Sequence, residues 1–124
     1  FYFLLKNKFS LCLPYINKLK SPLIFKKFIM NTKLVRGKYN IMHPNNEIIL
    51  IPNIILIPLV GFDESKNRIG YGGGYYDRTI ECLEKKNDVL KLGVAFDEQE
   101  TIRIPNGKYD KKLDVIITPT RLIT

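Results

Sequence analysis

Short apolar runs separated by turn residues mark the chain, and five of them predict strands. Pro14 closes the first run, and the aromatic and β-branched residues of the second favour a strand over a helix. The third run, NIILIP, is continuously apolar, which is typical of a strand covered on both faces. The five runs are Phe9–Leu13, Pro22–Met30, Asn53–Pro58, Leu90–Phe96 and Leu113–Thr118.

One segment has the period of a helix. Tyr76, Ile80 and Leu83 recur at spacings of four and three, which predicts a helix from about Tyr75 to Lys86. A strand, a helix and a strand in this order predict a parallel pair joined by a right-handed crossover. Residues 31–47 are polar and contain turn signals, and we expect a loop of substrate-binding length there.

Length and composition predict one compact domain over residues 1–124. The chain is 45% hydrophobic, and its apolar runs are too short to cross a membrane. Its first residue is Phe1, and the opening segment does not resemble a signal peptide, so the chain looks like a fragment. Cys12 and Cys82 are far apart, which predicts two buried thiols in a soluble, cytoplasmic protein.

Positive charge is concentrated in the first part of the chain. The first 46 residues carry nine basic residues and no acidic one, while the remainder carries eleven basic against twelve acidic residues. A basic face of this kind attracts nucleic acid, ATP or another polyanion. The abundance of Lys, Asn and Ile also fits an AT-rich genome, so both explanations stay open.

The strongest candidate chemistry lies between the third strand and the helix. Four glycines, Gly70 and Gly72–Gly74, allow backbone N–H groups to converge on an anion, and the helix adds its positive end. The loop lacks the Lys-Ser/Thr ending of a Walker A motif and the spacing of a dinucleotide fingerprint. A tight structural turn is the alternative for the glycines alone. Arg68 can bind phosphate, and Asp77 can either cap the helix or bind Mg²⁺.

As one unit, the segment FDESKNRIGYGGGYYDR resembles the signature of the 5-formyltetrahydrofolate cyclo-ligase family, also called methenyltetrahydrofolate synthetase. Weaker similarity upstream, in LCLPYI and YNIMHP, and downstream, in LGVAFDEQ and YDKKLD, extends the resemblance over roughly residues 9–118. The matching signature positions are Pro58, Phe62, Asp63, Arg68, Gly70, Gly72, Gly74, Tyr75, Tyr76 and Asp77.

The resemblance implies an α/β fold, a three-layer α/β/α sandwich with a mostly parallel sheet. It also implies an ATP-dependent ligase that phosphorylates the formyl oxygen of 5-formyltetrahydrofolate and closes the ring to 5,10-methenyltetrahydrofolate, releasing ADP and phosphate. Phosphoryl transfer of this kind depends on positioning and on charge neutralisation.

Site residues follow from the same resemblance. It assigns Arg68 and Tyr75 to catalysis, Asp77 and Asp110 to Mg²⁺, and Tyr39 to stacking on the pterin, although a lone aromatic is more often part of a core. Asp114 is expected to begin the last strand. The ATP-binding residues would be Arg68, Ile69, Gly70, Tyr71, Gly72, Gly73, Gly74, Tyr75 and Tyr76. The folate-binding residues would be Tyr39, Tyr71, Gly72, Gly73, Gly74 and Tyr75.

The chain departs from the family pattern in two places. It lacks the N-terminal helical segment with basic and acidic substrate contacts, and His43 stands where many members have Glu or Gln, which favours a structural or exposed histidine. The implied partners are ATP, Mg²⁺ and the folate, with or without a polyglutamate tail; we expect a monomer, no membrane and no nucleic acid. The alternative is a catalytically inactive cyclo-ligase-like module that binds RNA through its basic face.

Overall fold

A computed structural model of the chain describes residues 2–124, with the side chain of Tyr2 left out. The fold divides into two compact units, the first ending at Pro52 and the second running from Asn53 to Thr124. Whether residues 1–124 form a single domain depends on how these two units are arranged, so the single domain stays a prediction. The α/β class is confirmed, with few helices and with sheets that are mixed in direction.

The first unit contains one helix and five strands. Helix α1 spans Tyr2–Lys6, and the strands are β1 Leu11–Tyr15, β2 Ile24–Phe28, β3 Leu34–Arg36, β4 Met42–Pro44 and β5 Ile49–Leu50. Strands β1, β2 and β5 form an antiparallel sheet, and β3 pairs with β4.

Two sequence predictions for the first unit need correction. Pro14 does not end the first strand but lies inside β1, paired with Phe25, because β1 is an edge strand and needs no donor on its open side. Residues 31–47 are not an irregular loop, since they contain the β3–β4 hairpin. That hairpin turns at Lys38–Asn40, where Tyr39 and Asn40 have positive φ angles of 54° and 62°.

The second unit is built on a mixed four-stranded sheet and one longer helix. Its elements are β6 Ile54–Ile57, β7 Gly61–Phe62, β8 Arg68–Ile69, α2 Tyr75–Glu84, β9 Leu90–Val94, β10 Val115–Ile117 and β11 Leu122–Ile123. The sheet order is β11-β10-β9-β6, in which β6, β9 and β10 run parallel and β11 runs antiparallel. The predicted parallel pair around a helix is therefore confirmed.

One face of this sheet and one face of α2 form the core of the second unit. Ile57 and Ile116 are almost completely buried in the sheet, as are Thr79 and Ile80 in the helix. The prediction that the third strand is covered on both faces is wrong for this chain, because Ile54 and Leu56 are about half exposed while Ile55 and Ile57 are buried.

The structure tests two predictions made from composition, one on the cysteines and one on membrane-spanning segments. Cys12 and Cys82 are free thiols, but both are half-buried rather than buried, and burial raises the pKa of Cys12. Within residues 2–124, every helix is too short or too polar to cross a bilayer.

Candidate functional site

A short hairpin brings the signature residues to the end of β6. Strands β7 and β8 pair antiparallel, with Gly61 opposite Ile69 and Phe62 opposite Arg68. Between them Asp63 closes the turn: its carboxylate accepts hydrogen bonds from the backbone N–H of Asn67 at 3.0 Å and from the Asn67 side chain at 3.1 Å. The turn therefore fixes the residue that precedes Arg68.

Asp63 also connects this hairpin to a distant part of the chain. Its Oδ2 accepts a hydrogen bond of 2.9 Å from the backbone N–H of Ile104, and only 2% of the residue is exposed. Burial raises the pKa of Asp63, but the hydrogen bonds from Ile104 and Asn67 outweigh burial, so the pKa lies below its ordinary value of 3.8. Asp63 is consequently a buried, ionised residue that holds the site together.

The glycine loop lies between β8 and α2 and is open to solvent. Tyr71, Gly72 and Gly73 are exposed, and Gly72 and Gly74 have positive φ angles of 93° and 69°. Gly74 is the N-cap residue directly before α2, and it has no side chain to cap the helix. The first N–H groups of a helix have no acceptor within it, so this end of α2 can donate to an anion.

Arg68 and Asp77 form an ion pair beside the loop. Arg68 Nη2 lies 3.1 Å from Asp77 Oδ1, and the side chain of Arg68 is only 6% exposed. Arg68 Nε is buried without a hydrogen-bond partner among the described residues. Burial raises the pKa of Tyr76 above 10.0, with the charge of Arg68 opposing that rise. A buried guanidinium therefore lies beside the loop, and its Nε–H group has no hydrogen-bond acceptor among the described residues.

The proposed metal ligands approach each other through the backbone. The N–H of Lys111, which follows Asp110, donates to Asp77 Oδ1 at 3.2 Å. The carboxylate of Asp110 accepts a hydrogen bond from Gly107 at 2.8 Å. Within residues 2–124, no group of three His, Cys, Asp or Glu side chains is placed to hold a metal ion. Mg²⁺ commonly binds one or two carboxylates and keeps waters and substrate phosphates as its remaining ligands, so the roles of Asp77 and Asp110 stay a prediction.

Arg78 is a residue at this site that the sequence did not single out. Its Nη2 donates to the carbonyl oxygen of Gly73 at 2.7 Å, and its guanidinium lies over the Tyr75 ring, 5.1 Å from the ring centre. A cation in the first turn of a helix is electrostatically unfavourable without a compensating contact, but this signal in the sequence does not say where the contact lies.

The remaining predicted residues have separate positions. Ile69 and Tyr71 are exposed at the start of the loop. Asp114 lies just before β10, which is not the last strand, and its Oδ2 is 3.4 Å from Lys91 Nζ. Tyr39 is exposed in the first unit, so its proposed role toward the pterin stays a prediction. His43 is half-buried beside Tyr15, with 4.4 Å between ring centres, which agrees with a structural histidine.

Taken together, the second unit offers an open loop with backbone donors, a buried arginine and nearby carboxylates. Backbone donors and an arginine are the groups that bind an anion such as phosphate, and carboxylate oxygens are the ligands that a hard cation prefers. It lies beyond the carboxyl end of β6, where ligands bind in open α/β sheets.

Known proteins with similar sequences are cyclo-ligases. The chain is 31% identical over 120 residues to 5-formyltetrahydrofolate cyclo-ligase of Haemophilus influenzae, covering 91% of this chain and 63% of the relative. It is 35% identical over 115 residues to the enzyme of that name from Mycoplasma genitalium, covering 93% of this chain and 59% of the relative. The chain therefore spans about three fifths of the length of these relatives.

Solved structures give the same result. The NMR structure of 5,10-methenyltetrahydrofolate synthetase from Aquifex aeolicus matches with a TM-score of 0.78 and 31% identity, covering 98% of this chain and 60% of that one. The synthetase from Mycoplasma pneumoniae matches with a TM-score of 0.64 and 28% identity, covering 94% and 60%. The sequence profile of the 5-formyltetrahydrofolate cyclo-ligase family matches residues 3–119, and the chain belongs to that family.

Proposed function

We propose that this chain is part of a cytoplasmic enzyme that uses ATP to convert 5-formyltetrahydrofolate to 5,10-methenyltetrahydrofolate. The formyl oxygen accepts the γ-phosphoryl group of ATP, the neighbouring amine attacks the activated carbon, and phosphate leaves as the ring closes. The names of the relatives support the ligase activity, and the glycine loop supports the use of a nucleotide.

The observation that carries the proposal is the buried Arg68 beside an open glycine loop. The side chain of Arg68 is 6% exposed and pairs with Asp77, but its buried Nε has no hydrogen-bond partner among the described residues, which costs free energy until an acceptor binds there. The phosphate groups of ATP supply such an anion. In the proposed site Arg68 and Tyr75 contact the reacting groups, the run from Arg68 to Tyr76 lines the phosphates, and Tyr71–Tyr75 also face the folate. The assignment of Tyr39 to the pterin stays a prediction from the family resemblance.

Mg²⁺ is part of the proposal, with Asp77 and Asp110 as its protein ligands. When bound, it neutralises charge on the phosphates of ATP. Asp77 pairs with Arg68 through one oxygen, Oδ1. The chain's own contribution is to orient the phosphates through backbone N–H groups and to hold Arg68 in a desolvated position.

We also propose that the complete protein has a three-layer fold. The supporting observation is an apolar sheet face that this chain leaves exposed. Ile54 pairs with Leu90 and Val94 pairs with Ile117, and all four side chains are exposed on the face opposite α2. The relatives are longer than this chain. We propose that the part of their length that this chain does not span forms a third layer, which covers this face.

The test is turnover by the complete product of the gene. We expect 5-formyltetrahydrofolate to give the near-ultraviolet absorbance of the methenyl product only when both ATP and Mg²⁺ are present. Product formed at the same rate without ATP would contradict the proposal.

A pair of matched variants tests the metal ligands. Asp77→Asn should lower the Mg²⁺-dependent rate by a factor of roughly 100 or more, because one charged ligand is lost. Asp88→Asn, at an exposed position on the loop after α2, should leave the rate unchanged. Equal rates for both variants would remove Asp77 from the site.

A further inference from the structure

We propose that Arg78 is a positioning residue that latches the glycine loop in the conformation that binds phosphate. The effect of Arg78 on phosphate binding rests on the proposed function, but the restraint of the loop by Arg78 does not. It is carried by two contacts of one guanidinium, with the Gly73 carbonyl and with the Tyr75 ring, and by the space that Gly74 leaves for it because it has no Cβ atom.

The first contact orients the peptide between Gly73 and Gly74. In a planar trans peptide the carbonyl and the following N–H point in opposite directions. Because Arg78 Nη2 holds the Gly73 oxygen at 2.7 Å, the N–H of Gly74 points away from Arg78. A loop that has few other restraints thereby keeps one donor in a fixed direction.

The second contact holds the arginine itself, in the space that Gly74 leaves for it. Its guanidinium lies over the face of Tyr75, which attracts a cation. A Cβ atom on Gly74 would lie 2.8 Å from Arg78 Nη1, so the glycine leaves the space that the arginine occupies. Arg78 Nε is buried without a partner among the described residues, and the guanidinium is bonded through Nη2 to the loop at Gly73.

Position along the helix supports the same conclusion. Arg78 lies in the first turn of α2, where the positive end of the helix disfavours a cation. Folding back onto the Gly73 carbonyl offsets that cost. An exposed arginine with no role would point into solvent instead.

The test measures loop motion and nucleotide binding separately on the complete gene product that is used for the turnover test. Three variants are compared with the wild type: Arg78→Ala, Arg78→Met and Arg103→Ala. Arg103→Ala removes the same charge at an exposed position, and Arg78→Met keeps the apolar stem of the side chain in case Arg78→Ala does not fold. NMR order parameters of the Gly72–Tyr75 amides measure the mobility of the loop. Titrations with ATP and with adenosine measure the dissociation constant of each ligand.

For both Arg78 variants we expect the loop order parameters to fall from about 0.85 toward 0.6. We also expect the dissociation constant for ATP to rise roughly tenfold. Arg103→Ala should match the wild type in both measurements. Unchanged order parameters in the Arg78 variants would overturn the latch, and if ATP affinity alone fell, Arg78 would be a phosphate ligand instead.

The two proposals fail in different ways. If the wild type bound ATP no better than adenosine, the proposed function would lose its phosphate site. The order parameters would still decide whether Arg78 holds the loop.

Discussion

Asp63 combines two properties that rarely occur together, since it is almost fully buried and yet remains ionised. Its charge is compensated by hydrogen bonds from Asn67 and Ile104 and not by an ion pair among the described residues. At the scale of single residues, the site therefore depends on a carboxylate that touches neither the glycine loop nor α2 in the described contacts.

The lowered pKa of Asp63 predicts how stability depends on pH. Because the folded pKa lies below 3.8, the ionised group stabilises the fold fully above about pH 4, and this contribution is lost as the pH falls through the folded pKa. We expect Asp63→Asn to be less stable than the wild type at pH 7. Urea unfolding at several pH values should show the difference shrinking below about pH 4; a constant difference would contradict the assignment.

Gly72 and Gly74 should respond differently to alanine. Both have positive φ, so alanine costs about 1 kcal/mol at either position. A Cβ on Gly72 meets no described atom within 4 Å, while one on Gly74 meets the Arg78 guanidinium. Gly74→Ala should therefore cost more stability than Gly72→Ala in chemical denaturation. Equal costs would mean that Arg78 moves aside freely.

At the scale of elements, β6 is an edge strand of the second unit's sheet, and it leads into the candidate site. Its side chains alternate between buried and exposed, so one side packs in the core and the other carries apolar residues that face solvent. The strand pairs with β9 from Ile54 to Ile57, and the signature hairpin follows directly.

Two neighbouring residues of β6 give a matched prediction. Ile57→Ala should lower the free energy of unfolding by about 2 to 5 kcal/mol, because this side chain is 2% exposed. Leu56→Ala should lower it by less than about 1 kcal/mol, because that side chain is 58% exposed. Denaturation in urea measures both, and equal losses would show that Leu56 is covered.

The sequence predicted these elements well where the pattern was local. The strands of the parallel pair and the helix from Tyr75 were found, because apolar runs and the spacing of Tyr76, Ile80 and Leu83 are local signals. The hairpin of β7 and β8 was missed, because both strands have two residues and depend on Asp63.

The candidate site was predicted in part for the same reason. Arg68 and Asp77 were identified from their motif, and the structure places them 3.1 Å apart. Arg78 was overlooked because its contact with Gly73 depends on a side chain that folds back along the helix. No sequence period reports that direction, and the bond from Ile104 to Asp63 likewise arises only in the folded sheet.

At the scale of the whole molecule, charge is distributed unevenly along the chain, whereas exposed apolar side chains occur in both units. The basic excess belongs to the first 46 residues, and the exposed apolar sheet face belongs to the second unit. The RNA-binding alternative rests on the first of these features, and the relatives, which are named as cyclo-ligases, give it no support.

A salt titration distinguishes general attraction from an RNA site. We expect an RNA oligonucleotide to bind weakly at low salt and to be released by about 200 mM salt, as non-specific phosphate contacts are. Fluorescence anisotropy would measure the binding, and ATP should not compete with it. Tight binding that persisted at physiological salt would favour the alternative.

The bond between Asp63 and Ile104 spans 41 residues, and this distance affects how the chain matures during synthesis. A growing chain exposes its N-terminal part first. The glycine loop and α2 therefore emerge from the ribosome before the residue that secures the hairpin in front of them. Until Ile104 arrives, the buried carboxylate lacks one of its donors, and a chain that stalls in this interval carries the binding motif without the completed site.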